Sequence, residues 1–368
     1  MQRARLGIFV ALFAACSPKA KPNDVMGRPR AASEDADAGA EVPLAPSARG
    51  VAPSAAAGTK PRVVAKASSR ALAVDATRIY FGDAFEDTVV CIAKEGGPIQ
   101  RLARRAPVAG GLAIDGDAIA WVATPGDVVL RVSIGAAIAA SGVSDAGAPD
   151  GGASDAGAPH AATPFLVPAI VREHGLFADV VAQGGDTFVA EAQGGGGTIT
   201  RVDARGGATK LTSIDGAPRA LALDATHVYI VTAQKVLRVP RTRGELETLT
   251  IGADFESPVI DGDLVYVVAA TGAPGAHQVL RVKKTGGASE TVAASVRAAP
   301  IAVDGGELFY FDPQRSRLLA QPVSGGTTRT LAQDDALSRP NAIAVDANAV
   351  YVATGEREDG AVLAIPRK

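Results

Sequence analysis

One short segment recurs along the chain and limits what the chain can fold into. ALAVDATRIYF (71–81), ALALDATHVYI (220–230) and AIAVDANAVYV (342–352) are near copies, and four weaker copies accompany them. The equivalent residues, called anchors below, are Asp75, Asp115, Gln183, Asp224, Asp261, Asp304 and Asp346. Neighbouring anchors lie 37 to 43 residues apart, except for one interval of 68. Self-similarity at such a period indicates a repeat architecture in which each unit packs against the next.

The repeated unit carries an aromatic residue in a fixed place. Six of the seven copies have Tyr or Phe five residues after the anchor, although only 4% of the chain is aromatic. The exception is Ala120, which Trp121 follows. Each unit also reads as four short strands, a to d, separated by turn residues. Units of about 40 residues with four strands match the blades of a β-propeller. The sequence therefore predicts an all-β, seven-bladed β-propeller with four-stranded antiparallel blades over residues 59–368.

The two ends of this region predict how the ring closes. The seventh unit stops at Val362-Leu363-Ala364-Ile365-Pro366, on strand c. Residues 58–64 match the pattern that precedes strand d, with Val63 in the place of Leu102. We expect the N-terminal segment to complete the last blade beside Leu363, which pairs an otherwise free edge.

Three strands resemble a known motif. Tyr80-Phe81-Gly82-Asp83, Tyr229-Ile230-Val231-Thr232 and Tyr351-Val352-Ala353-Thr354 resemble the Y-W-T-D strand of the YWTD, NHL and TolB-like group of propellers. The resemblance implies the propeller fold. It leaves function open, because propellers serve as enzymes and as scaffolds.

The N-terminus and one internal segment differ from the repeats. Residues 1–16 combine two arginines, a ten-residue apolar run and Ala14-Ala15-Cys16, which resembles a lipoprotein signal with Cys16 lipidated; an ordinary secretory signal is the alternative. Ser17 after the cysteine resembles lipoproteins of the outer membrane. Residues 17–58 have the composition of a disordered tether. A similar insertion, 141–163, lies within blade 2, in the long interval.

Strand direction sorts the loops into two faces. The a–b and c–d turns lie on one face, called the bottom, and the d–a and b–c loops lie on the other, the top. We expect the insertion to lie on the bottom face. We expect any ligand to bind at the channel mouth on the top face, because ligand sites are concave. Charged or amide side chains near that mouth are Arg70, Asp179, Arg219, Glu256 and Asn341.

These five residues allow three interpretations. Glu256, Asn341 and Asp179 supply the ligand types that gluconolactonase-like propellers use for a metal. The two arginines suit an anion instead. All four charged groups could also form ion pairs with each other. The anchor aspartates we interpret as turn residues whose side chains bind nearby backbone N–H groups. The arginines of strand c (Arg131, Arg201, Arg238, Arg281) we interpret as surface residues.

The composition of the chain limits which classes of function it indicates. The 37 basic and 39 acidic residues leave a net charge of −2, so nothing indicates a nucleic-acid partner. Four scattered histidines and two cysteines indicate neither a metal site nor a disulfide framework, and Cys91 reads as a buried small hydrophobe. No nucleophile elbow or P-loop occurs. The sequence predicts a monomeric cell-envelope lipoprotein, without cofactor, whose propeller binds an envelope protein or glycan on its top face. The alternative is a metal-dependent hydrolase, lactonase or lyase at the same mouth.

Overall fold

The computed structural model describes residues 58–84, 86–104, 108–123, 128–141, 167–171, 176–296, 300–312, 314–355 and 359–368. Every described residue belongs to one compact unit, Ser54–Lys368. The predictions for the signal segment with Cys16, for nearly all of the tether and for most of the insertion fall outside the described residues. They stay predictions.

The described strands form seven four-stranded antiparallel sheets, as predicted. A first strand, β1 (Arg62–Lys66), belongs to the last blade. Blade 1 holds β2 (Leu72–Val74), β3 (Arg78–Asp83), β4 (Thr88–Ala93) and β5 (Gln100–Arg104). Blade 2 holds β6 (Val108–Asp115), β7 (Ala118–Ala123), β8 (Val128–Ser133) and β9 (Val167–Val171). Blade 3 holds β10 (Leu176–Gln183), β11 (Asp186–Gln193), β12 (Gly196–Val202) and β13 (Ala208–Asp215).

The remaining blades follow the same order. Blade 4 holds β14 (Pro218–Leu223), β15 (His227–Thr232), β16 (Lys235–Pro240) and β17 (Glu247–Ile251). Blade 5 holds β18 (Glu256–Asp261), β19 (Leu264–Ala270), β20 (His277–Lys283) and β21 (Glu290–Val296). Blade 6 holds β22 (Ala302–Asp304), β23 (Glu307–Asp312), β24 (Arg317–Pro322) and β25 (Arg329–Gln333), followed by a 3₁₀ helix at Asp335–Ser338. Blade 7 holds β26 (Pro340–Val345), β27 (Ala349–Thr354), β28 (Ala361–Pro366) and β1.

The ring closes as the sequence predicted. Strand β1 pairs antiparallel with β28, and Val63 lies opposite Leu363. Val63 does not take the place of Leu102, because Val63 is 55% exposed whereas Leu102 is 1% exposed. The register of β1 shifts between Val63 and Ala65, so Val64 takes the place that Leu102 has in blade 1. The prediction was therefore off by one residue.

That shift is a β-bulge, and it recurs around the ring. In strand d of five other blades the residue left unpaired by the bulge is the apolar residue that the repeat predicts: Leu102, Leu211, Leu249, Val292 and Leu331. A bulge inserts one residue and bends the strand. The extra residue turns its side chain towards the core, and four of the five are buried.

Seven apolar clusters hold the blades together, one between each neighbouring pair, including blades 7 and 1. The repeated aromatic of each blade is buried against the following blade, as Tyr229 is against blade 5. Trp121 instead faces the preceding blade, where it packs beside Tyr80. Its neighbour Ala120 faces the following blade, blade 3. The two large rings therefore share the interface between blades 1 and 2.

Blade 2 departs from the repeat after strand c. Helix α1 (Ile134–Ser141) follows β8 where other blades turn on glycines. The Asp117 carboxylate, in the a–b turn, accepts hydrogen bonds from the Gly135 amide and the Ser133 hydroxyl. The sequence analysis did not predict this helix. It begins beside an a–b turn, so the described flank of the insertion lies on the bottom.

Candidate functional site

Three anchor carboxylates on the bottom face, those of Asp75, Asp224 and Asp346, accept hydrogen bonds from their own turns. Oδ1 of Asp224 accepts hydrogen bonds from the backbone amides of Thr226 and His227 at 2.8 Å, and Oδ2 accepts one from the Tyr229 hydroxyl at 2.8 Å. Asp75 and Asp346 make the same three contacts with their own turns and tyrosines. This agrees with the interpretation of these aspartates as turn residues.

A second repeated contact joins neighbouring blades on this face. In four blades the residue just after strand c is a cation that reaches the anchor of the preceding blade and lies over its aromatic ring. We call these contacts clamps. Lys284 Nζ is 2.6 Å from Asp224 Oδ2 and 5.7 Å from the centre of the Tyr229 ring. The other clamps join Lys94 to Asp346, Arg241 to Gln183 and Arg367 to Asp304.

The clamps change the acidity of the anchors. Burial acts to raise the pKa of Asp224, but Lys284 and the hydrogen-bond donors outweigh burial and hold this pKa well below its ordinary value. The pKa of Tyr229 is raised, by burial and by its bond to the carboxylate. Sequence reasoning missed the clamps although a signal exists. VVCIAK (89–94), VLRVPR (236–241), VLRVKK (279–284) and VLAIPR (362–367) all end on the clamping cation.

Two other sequence interpretations concern the outer strands. Arg238 and Arg281 bind Glu247 and Glu290 of strand d at 2.7 Å, so these strand c arginines are paired at the surface. Cys91 is buried, and desolvation raises the pKa of its thiol to about 11. A buried thiol of that acidity fits the expected structural role.

Asp179 lies on innermost strand β10 near the top of the channel. Its carboxylate accepts hydrogen bonds from the Val180 amide and, across the blade boundary, from the Leu221 amide, both at 2.8 Å. A Cβ on Gly111 of β6 would stand 1.7 Å from Oδ1, so glycine there makes room for the carboxylate. Desolvation outweighs both bonds and raises the pKa of Asp179 to about 6. Asp179 thus joins blades 2, 3 and 4, and no arginine pairs with it among the described residues.

Arg219 and Glu256 come together at the boundary of blades 4 and 5. Arg219 sits in a bulge of β14, between Pro218 and Ala220, and a bulge redirects a side chain. Its Nη1 is 2.5 Å from Asp254 Oδ1 and 3.9 Å from Glu256 Oε1. The ion-pair interpretation is therefore right for Arg219 and Glu256, with Asp254 as the closer partner that the sequence analysis missed.

The segment around these acids, from the d–a loop into the start of β18, has an unusual backbone. Asp254 and Ser257 have φ angles of 51° and 50°, in the left-handed region that favours glycine. His277, at the start of β20, is 8% exposed, and its Nε2 lies 3.8 Å from Asp254 Oδ2. Its Nδ1 is buried without a hydrogen-bond partner among the described residues. Arg219, Asp254, Glu256, Ser257 and His277 are called the top cluster below.

The structure does not bring all five predicted site residues together. Asn341 donates a hydrogen bond to the Gly355 carbonyl within its own blade, at 2.6 Å. Arg70 is exposed just before β2. Neither has a described contact with the top cluster. Within the described ranges, no group of three or more His, Cys, Asp or Glu side chains is placed to hold a metal ion.

A cavity occupies the opposite end of the channel. It has a volume of about 420 Å³ and lies among the bottom ends of the inner strands of blades 1 to 4. Its walls include Val74, Ile114 and Leu223, together with the anchors Asp75, Asp115 and Gln183. The sequence favoured a ligand site at the top mouth, and this cavity was not predicted.

The similarity of this chain to known proteins lies in the fold. No protein-family model matches the sequence, and no curated protein matches it. Virginiamycin B lyase from Staphylococcus aureus superposes with a TM-score of 0.62 at 12% identity, covering 84% of this chain and 99% of the lyase. Oligogalacturonate lyase from Vibrio parahaemolyticus gives 0.56 at 11%, covering 84% and 90%. BamB from Moraxella catarrhalis gives 0.50 at 12%, covering 85% and 92%.

These similarities establish the class of protein. The chain is a seven-bladed β-propeller with four-stranded blades, and the predicted resemblance to propeller repeat proteins is confirmed at the level of the fold. Identities near 12% carry no function across, and the similar structures include two lyases as well as BamB.

Proposed function

We propose that this protein is a cell-envelope lipoprotein whose propeller binds an envelope protein through its top face without catalysing a reaction. The observation that carries this proposal is the top cluster, where charged side chains of blades 4 and 5 meet and where Asp254 and Ser257 are two of the five non-glycine residues with positive φ among the described residues. A left-handed residue other than glycine costs roughly 1 to 2 kcal/mol. Backbone strain of this kind concentrates at functional sites, where the surroundings maintain it.

The surroundings of the top cluster favour a protein partner over a glycan. Leu176 begins β10 and Ile251 ends β17, so both lie at the top edge of their strands, and they are 60% and 72% exposed. They lie on the same face as the top cluster, and exposed aliphatic side chains together with charged groups suit a protein partner. The charges of Arg219, Asp254 and Glu256 would set the orientation of the partner.

The proposed anchor orients this face. Lipidation of Cys16 would attach the chain to a membrane, most simply the outer membrane given Ser17. The described residues next to the tether (17–58) and to the insertion (141–163) lie on the bottom face, at β1 and at the start of α1, so on this proposal the top face would point away from the lipid. Among the described residues, no helix is long and apolar enough to cross a bilayer.

Site-specific photocrosslinking in the native host tests the binding surface. A photoreactive amino acid at Leu176 or Ile251 should give a discrete crosslinked species, which disappears when Arg219→Glu is added. Ile99, which is 46% exposed in the c–d turn of blade 1 on the bottom face, is the matched control position and should give none. Equal crosslinking from all three positions would contradict a top-face partner.

Metabolic labelling with an alkyne fatty acid tests the anchor separately. The wild-type chain should incorporate label and fractionate with membranes, whereas Cys16→Ala should lose both properties. Label that persists in Cys16→Ala would contradict lipidation at this residue.

An enzyme at the same mouth is the second candidate, a metal-dependent hydrolase, lactonase or lyase. One observation favours it, because His277 and Asp254 form the kind of pair that moves protons in general acid–base catalysis. Two of the structurally similar proteins are lyases. A stoichiometric divalent ion in the purified protein that is lost in Glu256→Ala would favour this function over binding.

A further inference from the structure

We propose that the bottom cavity is a second binding site, for an organic cation with a primary ammonium group on a short aliphatic chain. The cavity holds about 420 Å³, within the range of small-molecule sites. It is separate from the top cluster, so this inference does not depend on the proposed function.

The clamps show what the bottom face does with a cation. At Asp224, Oδ2 accepts the Tyr229 hydroxyl and also binds the Lys284 ammonium at 2.6 Å. Asp346 repeats this with Tyr351 and Lys94 at 2.5 Å. The anchor carboxylate thus keeps one acceptor position for an ammonium after its own turn is satisfied.

The two aspartates that line the cavity have no clamp. The residue that would reach Asp75 from the next blade is Ile134, and the one that would reach Asp115 is Ala204. Oδ2 of Asp75 accepts only the Tyr80 hydroxyl among the described residues, and Oδ2 of Asp115 accepts only the Gly185 amide. Among the described residues, no Lys or Arg side chain pairs with either carboxylate, so both negative charges face the cavity, and Arg241 binds Gln183 at its wall.

The rest of the lining selects the class of ligand. Val74, Ile114 and Leu223 provide apolar surface, which would bury a short hydrocarbon chain beside the carboxylates. The Gln183 side-chain oxygen already accepts a hydrogen bond from Arg241 at 3.1 Å, which leaves the site two carboxylates. An ammonium group donates three hydrogen bonds, which the oxygens of two carboxylates and water can accept, whereas Ca²⁺ takes six to eight oxygens. The lining thus favours an alkylammonium over a divalent metal ion.

Isothermal titration calorimetry with 1,5-diaminopentane and with n-pentylamine tests the site in the full chain. We expect saturable binding with a dissociation constant of about 1 mM or tighter. Asp115→Asn keeps an oxygen for the Gly185 amide but removes the charge, and it should weaken binding at least tenfold. The matched control is Asp261→Asn, because Asp261 is also an anchor facing an uncharged residue, Val323, but lies outside the cavity lining. This control should bind as the wild type does.

A filling variant separates loss of the site from loss of the fold. Ala182→Leu places bulk in the cavity without removing a charge and should abolish binding, while its unfolding curve shows that the propeller remains folded. Equal weakening in Asp115→Asn and Asp261→Asn, binding that survives Ala182→Leu, or tighter binding of Ca²⁺ than of the amines would each overturn the proposal. Because no top-cluster residue is changed, these outcomes do not affect the crosslinking test.

Discussion

The bottom and top faces of this ring differ in how their charged side chains are paired and hydrogen-bonded. On the bottom, carboxylates repeat at the same position in blade after blade, and turn amides, tyrosine hydroxyls and clamping cations satisfy them. On the top, the charged residues differ in kind from blade to blade. Asp179 is half-buried and desolvated, and Asp254 has positive φ. Among the described residues, no cation pairs with Asp179 and one ring nitrogen of His277 has no hydrogen-bond partner.

This difference distinguishes residues that stabilise the ring from residues that are available to bind a partner. A side chain that recurs in each repeat contributes to the packing of one unit on the next. A charged side chain that occurs once and carries strain or desolvation must be maintained for another reason. We therefore expect changes on the bottom face to affect stability, and changes in the top cluster to affect binding more than stability.

The pH dependence of stability gives the largest expected contrast. Desolvation raises the pKa of Asp179 from 3.8 to about 6, so the folded state takes up this proton before the unfolded state does. Its contribution therefore becomes more favourable as the pH falls from about 6 to about 4, by roughly 2 to 3 kcal/mol. Asp179→Asn should remove this part of the pH dependence in urea denaturation between pH 4 and pH 8.

Asp203→Asn is the control for that measurement. The pKa of exposed Asp203 is lowered, by its bonds to the Gly207 and Arg205 amides, so its contribution has the opposite sign and is lost below pH 4. An Asp179→Asn variant whose stability changes with pH as the wild type does would show that this carboxyl is not desolvated.

Removing one cation from each face tests the comparison directly. Lys284→Met leaves Asp224 mostly buried without its ammonium, so we expect a loss of about 2 kcal/mol in the free energy of unfolding. Arg219→Met breaks an ion pair whose side chains are 39% and 47% exposed, and it should change stability by less than about 0.5 kcal/mol. Urea denaturation at pH 7 measures both, and equal losses would contradict the division between the faces.

Acidification sharpens the same measurement. The folded-state pKa of Asp224 is lowered below its ordinary value of 3.8, so its stabilisation is complete above that pH and is lost as the pH falls below it. The difference between wild type and Lys284→Met should therefore shrink below about pH 4. A difference that stays constant with pH would assign the loss to packing of the lysine chain.

The repeats explain how much of the fold could be predicted. The repeat predicts the anchors and the aromatic residues that follow five positions later. It also predicts the pairing of Val63 with Leu363, because the last repeat lacks its fourth strand. The bulge that makes Val64 equivalent to Leu102 was not predictable, because it adds one residue without changing the pattern. Helix α1 was missed because the repeat predicts a turn there, although the alanines of 134–141 favour a helix.

The candidate site was predicted less completely, and the reason is physical. Position relative to the anchor correctly placed Arg219 and Glu256 at the top of neighbouring inner strands. Their partner Asp254 lies in a d–a loop, and His277 begins strand c, so neither shares their position in the repeat. Contacts across a blade boundary depend on loop lengths that vary between units. Asp179, predicted as a possible partner of an arginine, binds a backbone amide of the next blade instead.

Two buried tyrosines at the same repeat position give a smaller effect. The Tyr229 hydroxyl donates to Asp224, whereas the Tyr266 hydroxyl is buried without a partner among the described residues. Tyr229→Phe should cost about 1 kcal/mol in the free energy of unfolding. Tyr266→Phe should be neutral or stabilising, because it removes an unsatisfied polar group. Matching losses in the two variants would show that the anchor bond of Tyr229 does not stabilise the fold.

The substitution with the smallest expected effect tests whether the backbone strain in the top cluster lowers stability but supports binding. Ser257→Gly relieves a positive φ but increases the freedom of the unfolded chain, so the net gain should be about 0.5 kcal/mol. Gly275, already a glycine with positive φ in the b–c loop of blade 5, gives the control Gly275→Ala, which should destabilise the fold. If the strain orients Glu256 for a partner, Ser257→Gly should also reduce crosslinking from Leu176 while raising the unfolding midpoint. A more stable variant that crosslinks as well as the wild type would mean that the strained loop is not part of the binding surface, and the top cluster would lose its main support as a site.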